Sequence, residues 1–161
     1  MNYVNAVGGT KAQRKLAEDV AYFCIGEMMP RLRTLEIEIQ LTKCLDDGAY
    51  GFCYAMETER DFTIEIDKRI TKFKNGKVKK SGRDIFIETL CHEMVHVKQY
   101  CRKELTEKFP KSFWFGKEHK DGRCYPWELE AWKMQKILAH KYIKLQKLGT
   151  IKVLKSLDKR S

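Results

Sequence analysis

The stretch Arg33-Thr34-Leu35-Glu36-Ile37-Glu38-Ile39-Gln40-Leu41-Thr42 sets Leu35, Ile37, Ile39 and Leu41 against polar neighbours with a period of two. Successive side chains of an extended chain point to opposite faces, so this alternation makes a strand with one buried face. Further along, Asp46, Asp47 and Gly48 read as a turn and AYGFCYAM, residues 49–56, as a second strand. DFTIEID, residues 61–67, repeats the alternation through Phe62, Ile64 and Ile66 and reads as a third. Three strands joined by short connections predict an antiparallel meander.

The period changes on either side of these strands. Residues 10–29 place Leu16, Val20, Phe23 and Met28 at helical spacing, with Thr10 as a candidate N-cap and Pro30 as the stop. On the other side, ITKFKNGKVKKSGR (residues 70–83) holds Asn75, Gly76, Ser81 and Gly82 among six cations from Lys72 to Arg83. The basic stretch 68–83 therefore reads as an exposed loop or hairpin. From Asp84, placed as an N-cap, to about Arg102, the residues Ile85, Leu90, Val95 and Val97 mark a second helix. Residues 109–126 contain Pro110, Gly116, Gly122 and Pro126 around the cluster Phe113, Trp114, Phe115 and read as irregular. A last helix is expected from Pro126 to Leu148, closed by Gly149, with a short basic tail at 150–161 that frays. The expected fold is thus α+β in a single domain over residues 1–161: an N-terminal helix, a three-stranded antiparallel meander and two further helices.

Composition agrees with one globular domain: 161 residues, 43% hydrophobic and 34% charged, with ten Gly and three Pro. Such proportions exclude collagen-like and low-complexity chains. No run approaches the roughly 18 apolar residues that span a bilayer, and MNYVNAVGGTKAQRK lacks the apolar core of a secretory signal. A cytoplasmic protein without a membrane partner is the expectation. Cys24, Cys44, Cys53, Cys91, Cys101 and Cys124 contain no C-x-x-C pair, so reduced thiols are expected and a zinc ribbon is not. Charge is uneven: residues 1–67 hold 7 Lys/Arg against 12 Asp/Glu, and residues 68–161 hold 25 against 10, for a net of +10. The basic second half would attract nucleic acid without sequence preference.

His92-Glu93-Met94-Val95-His96 is H-E-x-x-H, and it sits inside the second helix. Residues four apart on a helix lie about 5–6 Å from each other on one face, so both imidazoles can point at one tetrahedral Zn²⁺. Glu93 falls beside that ion, where it can take a proton from a water whose pKa zinc lowers to about 7. A catalytic zinc needs a third protein ligand. His140 lies deep in the last helix and His119 in the irregular segment, while Glu128 and Glu130 open the last helix. These carboxylates are the better choice; both flank the stripe Trp127, Ala131, Met134, Leu138 and Leu145, so helical geometry does not choose between Glu128 and Glu130.

The order helix, strands, H-E-x-x-H helix and Glu-bearing helix resembles the small gluzincin metallopeptidases, a group that includes SprT-like and phage-encoded minimal zinc proteases. Their E-x-x-A pattern matches Glu128-Leu129-Glu130-Ala131 and implies Glu128 as the third ligand beside His92 and His96. SprT-like members often use a third histidine, which keeps His119 as an alternative. Several gluzincins place Asp or Asn after the Ala; here Trp132 stands there, and Glu88, one turn before His92, is the candidate to orient a ligand histidine.

What the resemblance implies is a zincin-like fold and a zinc-dependent endopeptidase acting on a protein or peptide, with Glu93 as general base. Tyr100, Tyr125 and His119 are candidate donors to the oxyanion. An edge strand would align the substrate backbone, and Trp114 with its Phe neighbours could wall the cleft. A phage-type protein of this kind would work in the host cytoplasm, and the basic half suggests recruitment to nucleic acid. The competing expectation is a non-catalytic basic module with a structural or vestigial zinc site, which four protein ligands would close.

Overall fold

The computed structural model describes residues 1–43, 49–56, 58–72, 81–120 and 125–158. It is α+β, with three helices and two sheets. The first sheet contains β1 (Tyr3–Gly8), β2 (Glu36–Thr42), β3 (Gly51–Ala55) and β4 (Asp61–Asp67) in the order β1-β2-β4-β3. β2 pairs in parallel with both β1 and β4, and β3 runs antiparallel on the outer edge of β4.

This order corrects the expected meander. A strand inside a sheet that helices cover on one face needs a complete row of apolar side chains on that face. β4 supplies one, with Phe62, Ile64 and Ile66 in register with Ile37, Ile39 and Leu41 of β2. Gly51–Ala55 has no such row, and its residues are half-buried or exposed, so it occupies the edge. The strand absent from the sequence reading, β1, buries Val4 and Ala6 and pairs from Tyr3↔Glu36 to Gly8↔Leu41. Gly8 ends it at φ +80, where a Cβ would stand 2.5 Å from the Leu41 carbonyl oxygen.

Helix α1 (Lys11–Met28) carries the chain from β1 back to the parallel β2. Its capping box is formed by Thr10 and Gln13, as Thr10 predicted, and such a cap contributes about 1 kcal/mol. Helix α2 (Gly82–Cys101) packs against α1, β3, β4 and α3 (Pro126–Asp158). The buried faces of these helices and of the sheet form one apolar core, including Val20, Ile39, Phe62, Ile64, Phe86, Leu90 and Met94.

Four boundaries differ from expectation. Ser81, not Asp84, is the N-cap of α2; Asp84 falls in the first turn and donates its backbone N–H to Ser81 Oγ at 3.2 Å. The basic stretch begins with a 3₁₀ turn, Lys68–Lys72, anchored by the buried Ile70, while residues 73–80 lie outside the described residues, as does the expected turn at Asp46–Gly48. The stretch 109–126, expected to be irregular, contains β6 (Lys111–Trp114) and β7 (Lys117–Glu118), which with β5 (Leu105–Lys108) form an antiparallel sheet; residues 121–124 lie outside the described residues. Gly149 does not close α3, which continues through the expected tail to Asp158. One helical glycine costs about 1 kcal/mol, which helix-forming Leu and Lys neighbours offset.

Cys24, Cys53, Cys91 and Cys101 are free thiols, as expected; Cys44 and Cys124 lie outside the described residues. No helix among the described residues is long and apolar enough to cross a membrane.

Candidate metal centre

Helix α2 presents His92 and His96 on the side that faces the first turn of α3, where Glu128 stands. One ligand atom from each of the three lies within 4.8 Å of the others, a grouping able to hold a metal ion. Glu128 Oε2 is 3.0 Å from His92 Nε2 and its Oε1 is 3.0 Å from His96 Nε2.

Two glutamines set the proton positions. Nδ1 of His92 meets Gln135 Oε1 at 2.7 Å, and Nδ1 of His96 meets Gln99 Oε1 at 2.8 Å. The amide orientations follow from the glutamines' other partners. Gln99 Nε2 donates to the Trp127 carbonyl at 2.9 Å and to Glu130 at 3.1 Å, and Gln135 Nε2 donates to Glu88 at 2.9 Å. Each imidazole therefore faces an acceptor, so both Nδ1 atoms carry a hydrogen; a neutral ring then offers a lone pair at Nε2, and a protonated ring donates from Nε2 to Glu128. The two Nε2 atoms are 3.2 Å apart and both face the Glu128 carboxylate. Three electron-rich groups converging in this way repel one another unless a cation sits among them: a second proton on an imidazole, or a metal ion.

The electrostatics agree. Burial works against an ionised Glu128, yet its hydrogen bonds to His92 and His96 outweigh burial and hold the carboxyl at about 2. Burial likewise disfavours a charged His96, but Glu128 and Gln99 raise its pKa above the ordinary imidazole value. The site thus stabilises positive charge. Glu93 is 5% exposed, and burial raises its carboxyl against the opposing pull of His96 and His92.

Beside the cluster lies a cleft of about 320 Å³. His92, Glu93, His96, Glu128, Tyr100 and Trp127 reach it from the helices, Gly51, Phe52 and Cys53 from β3, and Leu105 and Glu107 from β5. Tyr100 follows His96 by four residues and donates its hydroxyl to Glu107 at 3.1 Å. Burial, with Glu107 adding to it, pushes the phenol well above its usual range, so it remains a donor.

The other candidates fall elsewhere. Glu130 takes Lys98 Nζ at 2.7 Å together with Gln99, so it braces the site without joining the cluster. His119 packs its ring on Tyr125 and Trp127 at 5.3 and 5.1 Å, and its Nε2 is buried without a partner among the described residues. Neither His119 nor Tyr125 lines the cleft. His140 is exposed on α3. Trp114 lies tilted against Trp127, ring centroids 6.3 Å apart, and Trp127, not Trp114, lines the cleft. Glu88 reaches His92 through Gln135 and not directly. The sequence reading missed Gln99, Gln135, Glu107 and Cys53; the spacings of Gln99 from His96 and of Gln135 from Glu128, three and seven residues, were the available signals.

No family model matches this chain, and no curated protein or solved structure matches it.

Proposed function

We propose that this chain is a zinc-dependent peptidase of the minimal gluzincin type, with a zincin-like fold, in which His92, His96 and Glu128 hold the metal. The observation that carries the reading is the pair of Nε2 atoms, oriented by Gln135 and Gln99, converging on Glu128 beside an open cleft. Two imidazoles and one carboxylate are a donor set that suits zinc. When bound, the metal would polarise the scissile carbonyl and acidify a water.

The protein's own groups account for the rest. Glu93, buried at the cleft with its carboxyl raised, takes a proton from the attacking water and delivers it to the leaving amine. Tyr100 stays protonated and turns its hydroxyl from Glu107 toward the developing oxyanion. β3 has β4 on one side and no strand on the other among the described residues, and it lines the cleft. It is therefore the edge on which an extended peptide adds as a further strand.

The cleft favours this reading over a structural zinc site, since no fourth metal-binding residue joins the cluster among the described residues. Replacing Glu93 by Gln tests it: the E93Q protein keeps its zinc and loses peptide hydrolysis by about 10²- to 10⁴-fold. Unchanged turnover in E93Q, or none in the zinc-loaded wild type across a peptide library, contradicts the reading.

Recruitment to nucleic acid is a separate part of the proposal. Lys108, Lys111, Lys117 and Lys120 lie on or beside the β5-β6-β7 sheet, with Phe109 and Phe115 exposed at 99% and 64%. Affinity for single-stranded DNA should fall steeply between about 50 and 200 mM salt. Absence of binding at the lower salt removes this part and leaves the peptidase.

A further inference from the structure

A second pocket lies between the end of α1 and the end of α2, walled by Met29, Pro30 and Leu32 and carrying Arg31, Arg60 and Arg102. We infer that it binds an organic phosphate monoester, a ligand of about nucleotide size. The pocket is distinct from the metal cleft: Tyr100 lines the cleft, whereas its neighbours Cys101 and Arg102 line this pocket, so the last turn of α2 divides the two.

Arg102 is held in place without being neutralised. Arg102 donates from Nη2 to the Met28 carbonyl at 2.6 Å, and Arg60 pulls the pKa of the Cys101 thiol down against burial, which raises it. Among the described residues, none of the three arginines forms an ion pair. Glu59, next to Arg60, stands 3.6 Å from Lys103 instead. Two cations elsewhere have acids, Lys98 with both Glu104 and Glu130 and Arg69 with Asp67, whereas Arg14 and Arg33 bond backbone carbonyls. Three arginines line one concavity, and an anion there offsets the gathering of like charge.

Phosphate fits the donors and the space. A monoester carries close to two charges and three acceptor oxygens, which match the planar forks of arginine better than a single carboxylate does. The pocket measures about 460 Å³, more than an inorganic ion fills. Its Met29, Pro30 and Leu32 wall offers an apolar surface to whatever the phosphate carries. The site belongs to the half of the sequence with an acidic balance plus the last turn of α2, so local geometry and not net charge assembles it.

The test is a calorimetric titration of AMP into the full-length chain at 150 mM salt. We expect one site per chain with a dissociation constant below about 1 mM and at least tenfold weaker binding of adenosine. R31A and R60A should each weaken AMP about tenfold, while K133A and K144A, on exposed α3 positions, leave it unchanged. Arg31 is exposed and holds no other described residue, so R31A decides the result even where R60A perturbs the fold. A 5′-phosphorylated trinucleotide that binds more tightly than AMP assigns the phosphate to a nucleic-acid end, and equal binding assigns it to a free nucleotide; both support the site. Adenosine binding as tightly as AMP, wild-type affinity in R31A, or a 5′-hydroxyl trinucleotide matching the phosphorylated one overturns it. Because no metal or peptide enters this titration, its failure leaves the peptidase proposal untouched.

Discussion

At the scale of single residues, the candidate metal centre depends as much on two amides as on the three side chains that would hold the ion. Gln135 and Gln99 fix which nitrogen of each imidazole carries hydrogen, and Glu88, Glu130 and the Trp127 carbonyl fix the amides in turn. Replacing Gln135 by Leu removes the acceptor that holds His92 while leaving all three ligands in place. Zinc affinity should fall about 10- to 100-fold, with the circular dichroism spectrum unchanged. Wild-type affinity in that variant would show that His92 needs no such support. His92, Glu93 and His96 were legible in the sequence because a four-residue helical spacing is itself the geometry of the site. The glutamines were not, since an amide neither titrates nor repeats, and its role appears when α3 is laid against α2. The choice of Glu128 over Glu130 likewise depends on Lys98, which occupies Glu130.

At the scale of elements, local pattern identified strands and helices better than it identified their neighbours. Alternation in Glu36–Thr42 and Asp61–Asp67 made both visible as half-buried strands, but alternation says nothing about which edge meets which. The meander failed because parallel pairing of β2 with β4 aligns two complete apolar rows, a non-local gain that no short window contains. β1 escaped notice because two small or medium apolar residues, Val4 and Ala6, carry its whole buried face.

The start of α2 offers a test at this scale. Gly82 sits at its first turn, where a Cβ would stand 2.3 Å from the Ile70 carbonyl oxygen and 2.6 Å from that of Thr71. In an open helix Gly→Ala stabilises by up to about 1 kcal/mol. Here it must push the 3₁₀ turn away, so G82A should lower stability by about 1–3 kcal/mol in urea unfolding. A stabilised G82A would mean that Lys68–Lys72 yields freely and does not fix how α2 begins.

For the molecule as a whole, the sites are assembled from segments far apart in sequence, which is why composition foresaw them poorly. The metal cleft joins β3, α2, β5 and α3, and it is lined by Glu93, Glu107 and Glu128 in a chain whose net charge is +10. The arginine pocket lies mainly in the acidic-balance half. Net charge describes the field seen by a distant partner, whereas folding decides which charges share a cavity. α+β architecture was legible because it needs only the types of element and their order; the path of the sheet and the small β5-β6-β7 sheet depended on contacts that a linear reading does not hold.

Convergence of His92, His96 and Glu128 on one cation is tested most directly by titrating zinc into the metal-free protein and measuring uptake and proton release together. One equivalent per chain should bind at neutral pH and displace the proton that His96 retains through its raised pKa. Affinity should weaken in acid as His96, whose pKa the site raises, becomes charged, while Glu128 stays ionised down to about 2. H92A, H96A and E128A should each lose the site, and E130A should retain it. Full uptake in E128A, or a wild-type chain that takes no zinc at neutral pH, would contradict the proposed centre.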